Sequence, residues 1–482
     1  MLAYCLEPTC TVVLADDAAT IESPRGPLRV TSLAAGQVAV LARLGEQVPC
    51  RREDLVRLAG EDDPALGPWV HMIVDRLVAL GFLARVVGSP PLARLTSMAP
   101  GSSPARAPLP PTARVRLDPL ALLRAQSGDI VLESPRSTSR VTLLDPSVAA
   151  VLAGLASPAT VKDAVRDTGL DPDAVSTLIC ELHAEGFIVE EGDAPSWPEW
   201  SFHDALFHAR SRSGLHDYPY GATYRQEGVR PFLPAVKPRS EGEIVELATI
   251  DLEDAARTDP PFAQVLESRQ SWRVPGERAL HVDELGEFLW RSARVRGRRG
   301  TEHEEVSNRP YPGGGADYEL EIYVLAHRVQ GLERGLFHYD PLDHVLVTVS
   351  GWTPSAELLA QDVAGKTATG QVPDVALLIT ARMHRLTYKY ESIPYAVALK
   401  DLGALYGTWY LTATAMGLAP CALGGGDGRV LSEALGIPAW IEPRIGEFLL
   451  NTPDPGERRG ALPPPRVERH RRETSSGSLG DE

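Results

Sequence analysis

From Leu402 to Gly425 the chain carries no charged residue, and the run ends in the glycines Gly424, Gly425 and Gly426. A helix that is apolar on every side belongs in a protein core or a bilayer. Gly403, Gly407, Gly417 and Pro420 interrupt this run, Lys400 and Asp401 precede it, and a bare glycine loop has no place in lipid, so the core is the expected location. Just upstream stand Lys389 and Tyr390, two adjacent ionisable side chains. Between Arg385 and Arg429 the sequence therefore presents a proton-handling pair, a buried helix, and a loop bare enough for a flat ligand to touch main chain.

At 482 residues the chain exceeds one ordinary core, and two or three domains are expected. With 43% hydrophobic and 23% charged residues it reads as soluble and globular, and its net charge of -16 argues against nucleic acid as a partner. Cys5, Cys10, Cys50, Cys180 and Cys421 form no C-x-x-C, which fits a reducing compartment. The opening MLAYCLEPTC has neither the basic nor the apolar part of a signal peptide, so a cytoplasmic protein is expected, and no membrane. No metal is expected either: His303-Glu304-Glu305 lacks the second histidine of a zinc helix, and His203 and His208 do not share a helix face. Gly365-Lys366-Thr367 is not a P-loop, because Ala360 stands where its first glycine belongs, and no Rossmann glycine fingerprint is present.

The first part of the chain repeats itself. Glu22-Ser23-Pro24-Arg25 recurs as Glu133 to Arg136, and Arg29-Val30-Thr31 as Arg140-Val141-Thr142, both at an offset of 111 (133 − 22 = 140 − 29). Val40-Leu41-Ala42 falls in the same register on Val151-Leu152-Ala153, and Gly81-Phe82-Leu83 matches Gly186-Phe187-Ile188 after a shortening. Each copy reads as short strands followed by about three helices. In the second, Val161, Ala164 and Val165 make one short helical face, Asp171 caps the next helix, and Val175, Leu178, Ile179 and Leu182 line it. Such a small winged-helix-like unit serves either to dock an extended peptide as an added strand or as a dimerisation or spacer module. Ser89 to Thr112, rich in Pro, Ala and Ser, reads as a linker, and the tail from Gly460 as disordered.

Three further stretches suit a phosphorylated planar ligand. Alternation along Arg269-Gln270-Ser271-Trp272-Arg273 puts two guanidinium forks and a hydroxyl on one side. Pro312-Gly313-Gly314-Gly315 stands before a strand Tyr318 to His327 in which Leu320, Ile322 and Val324 alternate with Glu319, Glu321 and Tyr323. Leu423-Gly424-Gly425 closes the uncharged run. Glycine lets backbone approach a ring closely, though it serves equally in a plain turn. The stretch Trp197 to Tyr224 is dense in aromatics and histidine and reads as a packed structural segment.

The strings TYKYES, DLGALYGTWYLTATAMGLAPCALGGG and RPYPGGGADYELEIY resemble the SagB-type peptide dehydrogenases, over roughly Trp197 to Pro453. The resemblance implies an α+β fold: a nitroreductase-like FMN-binding domain at 193–459, with an antiparallel-rich sheet and a buried central helix. Two winged-helix-like repeats (1–88 and 113–192) precede it, joined by the linker 89–112, and a tail follows at 460–482. For Trp197 to Tyr224 the resemblance implies, instead of a packed segment, the entry to the oxidoreductase domain, partly lining its cleft. It implies oxidation of thiazoline or oxazoline rings to thiazole or oxazole in a ribosomally made peptide, beside a cyclodehydratase partner, with dioxygen as final acceptor. Lys389 and Tyr390 would handle the proton, which requires burial to weaken the hold of the lysine on it. FMN would lie between the subunits of a homodimer against Arg269, Gln270, Ser271, Arg273, Pro312, Gly313, Gly314, Gly315, Leu423, Gly424 and Gly425, with Arg458 and Arg459 as further candidates for the phosphate. The chain departs from the pattern in two places: Gly313 replaces a common serine and Gly407 a common glutamine. The alternatives are an NAD(P)H-dependent nitroreductase-like reductase and a non-catalytic peptide-binding scaffold.

Overall fold

The duplication read from the sequence reappears as two matching runs of elements. The computed structural model describes residues 1–61, 63–99, 109–110, 112–166, 168–192, 199–213, 219–367 and 369–457. They fall into two units: Met1–Arg225 with Lys389–Ile393, and Gln226–Tyr388 with the chain from Pro394.

In the first unit, copy one runs β1 (Leu2–Leu6), β2 (Thr11–Ala15), β3 (Ala18–Glu22), β4 (Leu28–Thr31), α1 (Ala35–Gly45), α2 (Arg52–Gly60), α3 (Gly67–Ala79), β5 (Leu83–Val87). After β6 (Ala93–Ser97), copy two runs β7 (Arg114–Leu117), β8 (Leu122–Gln126), β9 (Asp129–Glu133), β10 (Ser139–Leu143), α4 (Ser147–Gly154), β11 (Ala159–Thr160), α5 (Val161–Val165), α6 (Pro172–Ala184), β12 (Ile188–Glu190). The meander β8-β9-β10 lies 111 residues after β2-β3-β4 (122 − 11 = 139 − 28). Each copy pairs its first strand with its last, β1 with β5 and β7 with β12, and each has its own core. The Asp171 carboxylate accepts from Ala174 N at 3.2 Å at the start of α6, whose Val175, Leu178, Ile179 and Leu182 are buried.

The copies differ at one edge. The sheet of copy one stops at β4, whereas β10 is covered by β6, in the order β1-β5-β6-β10-β9-β8. Val141 of β10, paired with Leu95 of β6, is 1% exposed, while its counterpart Val30 is only half-buried. The stretch 89–112 is thus not wholly a linker. Ala-Arg-Leu-Thr-Ser at 93–97 alternates as a strand must, a pattern masked in the sequence by the neighbouring prolines. Residues 100–108 and 111 of that stretch, and the tail, lie outside the described residues.

The second unit is built on a seven-stranded, wholly antiparallel sheet. Its order is Ile244–Glu246, Val345–Gly351, Gly335–Asp340, Leu320–Ala326, Val375–Ala381, Arg444–Asn451, Ala419–Leu423. Leu320–Ala326 is buried on both faces rather than on one, because it is the central strand. Its Glu321 pairs with His338 at 2.8 Å, a bond that offsets burial and leaves the carboxyl below its ordinary range. The central helix, Pro394–Ala415, packs on the sheet through Leu402, Leu405 and Trp409, the last against Phe288 and Phe448.

The uncharged run is therefore not one buried helix. Leu418 N donates to Ala413 O (2.8 Å) and Gly417 N to Thr414 O (3.2 Å) with Gly417 at φ +69, which closes the helix in a Schellman turn. The chain then continues as the edge strand Ala419–Leu423. Nor is the helix covered all round within this chain, since Lys400, Gly403 and Gly407 are exposed.

Candidate active site

Lys389 is the last residue of the short helix Met383–Lys389, and Tyr390–Glu391 immediately form a strand antiparallel to Gly221–Ala222. Adjacent side chains on a strand would diverge, but at this junction the Lys389 ammonium lies 5.5 Å from the Tyr390 ring centre. The Tyr224 ring stands 5.8 Å from the same nitrogen. The Lys389 carbonyl accepts from Thr223 N and Tyr224 N, both at 3.0 Å, and the Glu391 carboxylate accepts from the Thr223 hydroxyl at 3.1 Å. Tyr224 itself is held at φ +51, a conformation that non-glycine residues adopt at a cost of about 1 kcal/mol or more and that clusters at functional positions. Lys389 is buried, 6% exposed. An amine held against aromatic faces and away from bulk water has the surroundings in which lysine can serve as a base.

The remaining sequence candidates apart from Tyr390 lie in the second unit, and each of their segments has a contact with the central helix in it or beside it. The Ser271 hydroxyl shares a 2.8 Å hydrogen bond with the Tyr410 hydroxyl, which also accepts from Ala422 N at 2.8 Å. The Arg269 guanidinium stacks over the Tyr410 ring at 5.3 Å, and Trp272 N donates to Pro420 O at 2.8 Å. One tyrosine thus brings the segment Arg269-Gln270-Ser271-Trp272-Arg273 beside the strand that ends at Leu423 and leads into Gly424 and Gly425. That glycine loop is anchored behind by the buried Arg444, bonded to Asp362 at 2.9 Å and to Asp427 O at 3.1 Å.

Pro312, Gly313, Gly314 and Gly315 attach elsewhere on the helix. Gly314 N donates to both carboxylate oxygens of Asp401, at 3.0 and 2.8 Å. Asp401 and Tyr410 are nine residues apart (410 − 401), about 13 Å along the axis and roughly half a turn around it. A single chain therefore joins the arginine motif to the last glycine loop, but sets Gly313–Gly315 on another side of the helix.

These residues fit a flavin. Gly424 and Gly425 expose bare main chain with nothing within 4 Å of where a Cβ would stand, and Arg269 is exposed and pairs with no carboxylate among the described residues. Such a set can face a ring and a phosphate. Arg458 and Arg459 lie outside the described residues. Tyr224, Asp401 and Tyr410 were not among the sequence candidates. Asp401 had one visible mark, as the acid that opens the uncharged run.

Comparison with known proteins decides the class. The nitroreductase family model matches residues 266–445, a span that contains the arginine motif, both glycine segments, Lys389 and the central helix. The chain is an oxidoreductase whose residues 266–445 are nitroreductase-like. Ahead of that domain, the model described as cyanobactin oxidase ThcOx matches residues 115–217, most of copy two and the segment after it. The oxidoreductase is 28% identical over 196 residues to the Methanocaldococcus jannaschii protein MJ1384, described as a nitroreductase, covering 41% of this chain and 92% of that one. It is 30% identical over 116 residues to the microcin B17-processing protein McbC of Escherichia coli, covering 23% of this chain and 42% of McbC. A solved nitroreductase structure from Ralstonia eutropha matches at a TM-score of 0.35 and 20% identity, over 48% of this chain and 98% of that one. Among the described residues no helix is long and apolar enough to cross a membrane.

Proposed function

We propose that this oxidoreductase uses FMN to oxidise thiazoline or oxazoline rings to thiazole or oxazole in a ribosomally made precursor peptide, beside a cyclodehydratase. The observation that carries this reading is the joining of a nitroreductase domain to a ThcOx-type segment, with the buried Lys389 ammonium set between two tyrosine rings. Aromatising an azoline removes a proton from one ring carbon and a hydride from its neighbour. Bound FMN supplies the electron sink, with dioxygen as the final acceptor. Lys389 takes the proton, and Tyr390 donates to the ring heteroatom or relays the proton onward. Arg269, Ser271 and Arg273 hold the phosphate and ribityl chain, and Leu423, Gly424 and Gly425 meet the ring.

Because Gly313–Gly315 sits on another side of the helix, its contact with flavin is made to the cofactor of a second copy, and the enzyme works as a homodimer. The exposed helix face at Gly403 and Gly407 supports this assembly. The two winged-helix-like copies dock the peptide as an added strand. Among the described residues the edge at Leu28–Thr31 of copy one is open for it, whereas the matching edge of copy two is taken by Ala93–Ser97.

The test is a flavin spectrum of the purified protein, followed by mass spectrometry of an azoline peptide for loss of two hydrogens per ring. A colourless protein that stays colourless with added FMN refutes the reading. The match to MJ1384 over nearly all of that protein favours one alternative, an NAD(P)H-dependent reductase. Turnover of NAD(P)H with nitroarenes or quinones, and none with the azoline peptide, would select it. Tight peptide binding without bleaching of the flavin would select a scaffold instead.

A further inference from the structure

The turn that carries Gly313–Gly315 is strained and held from behind. Gly315 (φ +61), Ala316 (φ +60) and Tyr318 (φ +47) are all left-handed, and the two that are not glycine are strained by it. Such a backbone persists only where its surroundings impose it. Here the clamp is Asp401, whose two oxygens take the Gly314 amide, with Val397 so close that a Cβ on Gly314 would stand 2.7 Å from its Cγ1.

Behind Asp401 lies Glu319, wholly buried. Neither of its carboxyl oxygens has a hydrogen-bond partner among the described residues, and the neighbouring Asp401 is an acceptor that a protonated Glu319 would satisfy. A proton between the two resolves the conflict, because carboxyls in contact cannot both ionise cheaply. Burial first, and then the charge on Asp401, pushes Glu319 up to about 8. Burial also raises Asp401, opposed by the Gly314 amide and by the bond from Glu319. Around the pair stand Arg309, Tyr311, Asp317, Glu321 and Lys400. Arg309 leaves Nε and Nη2 without partners and Tyr311 its hydroxyl, so neither supplies Glu319 with a donor. Burial raises both acids, which favours one proton shared by the pair and one charge left to face the Gly314 amide.

We propose that Asp401 is the positioning residue of the cofactor turn and Glu319 its hydrogen-bond donor, and that together they fix the Gly313–Gly315 main chain in the form that meets flavin. The flavin part rests on the reading given under Proposed function. The full chain, stripped of flavin, is followed by hydrogen exchange over 312–318, and its FMN affinity by quenching of flavin fluorescence. Asp401→Ala is expected to speed exchange in 312–318 at least tenfold and to weaken FMN at least tenfold, with α3 in the other unit unmoved. Glu319→Gln, whose amide still donates to Asp401, should keep both within threefold at pH 7, a rescue that mere packing loss would not give.

Unchanged exchange in Asp401→Ala overturns the proposal whatever happens to flavin. Faster exchange with unchanged FMN affinity overturns the positioning role in cofactor binding. A wild-type chain that binds no FMN refutes the functional reading, while the exchange arm still decides the anchor. Should Asp401→Ala not fold, Asp401→Asn, which keeps one acceptor oxygen and loses the charge, is expected to lose three- to tenfold in both measures. No change there overturns the proposal.

Discussion

Lys389 and the Asp401–Glu319 pair are both buried ionisable groups, one in each unit, and the protein solves the cost of burying them differently. Lys389 keeps its head against two tyrosine rings, a contact that favours the ammonium formed when the amine takes up a proton. The acid pair is pushed by burial toward holding one proton between two carboxyls, and Asp401 faces a backbone amide. The first arrangement suits a group that changes protonation during a reaction. The second suits one that must not change. Substitutions at the two places should therefore fail in different ways.

The largest effect is expected at Lys389. Lys389→Ala should lower azoline oxidation by about 100-fold or more, the scale on which proton transfer by a placed side chain contributes. Flavin content, read from the visible spectrum, should stay near wild type. A variant that loses flavin and rate together would mean that Lys389 belongs to the cofactor-holding group and would dissolve the contrast. Next comes Tyr224→Leu, which takes away one of the two rings facing the ammonium. A desolvated cation–π contact is worth about 2 kcal/mol, so a fall of roughly tenfold or somewhat more in turnover is expected, again with flavin retained. Single-turnover bleaching of the flavin by substrate separates this from an effect on product release.

Smaller, and visible in stability rather than rate, is the titration of Glu319. Its pKa is raised from 4.5 in the unfolded chain to about 8, so the folded form holds the proton over that interval. Its contribution is complete below about pH 4.5 and is lost as pH rises through about 8. Hydrogen exchange in Leu320–Ala326, the strand that follows it, should quicken across this window beyond the intrinsic rise. Glu319→Gln should flatten that trend. A wild-type profile that is already flat would mean that the pair is not sharing a proton.

How legible these two centres were differed in kind. Lys389-Tyr390 and the glycine segments were readable because local chemistry marks them: an amine beside a phenol, or glycines in a row. The repeat was readable from its constant offset, and the apolar faces of α5 and α6 and the cap of α6 from their spacing. The partners that give these residues their surroundings were not, because each arrives from far along the chain. Tyr224 meets Lys389 across a two-residue ladder with Gly221–Ala222, Asp401 meets Gly314 across 87 positions, and Tyr410 meets Ser271 across 139. Alternation misled at Glu319 and Glu321, where a polar-looking face is buried because the strand is the sheet's centre. Charge-free length misled after Ala415, where a helix of uniform polarity hides the Schellman stop that Gly417 makes possible.

The smallest effect is expected at a position that touches neither centre. Gly407 faces out of the central helix, and a Cβ placed there meets nothing within 4 Å. Gly407→Gln, which restores the residue common in the resembling family, should stabilise the helix by about 0.5 kcal/mol through propensity alone. Thermal denaturation would show this as a rise of a degree or two. Among the described residues nothing stands within 4 Å of the added Cβ, so the substitution should leave both the Lys389 group and the Gly314 clamp as they are. A larger gain in flavin affinity, or a shift in sedimentation toward dimer, would have to come from a second copy seated on this face. The same glutamine therefore measures how much of the cofactor site a single chain supplies.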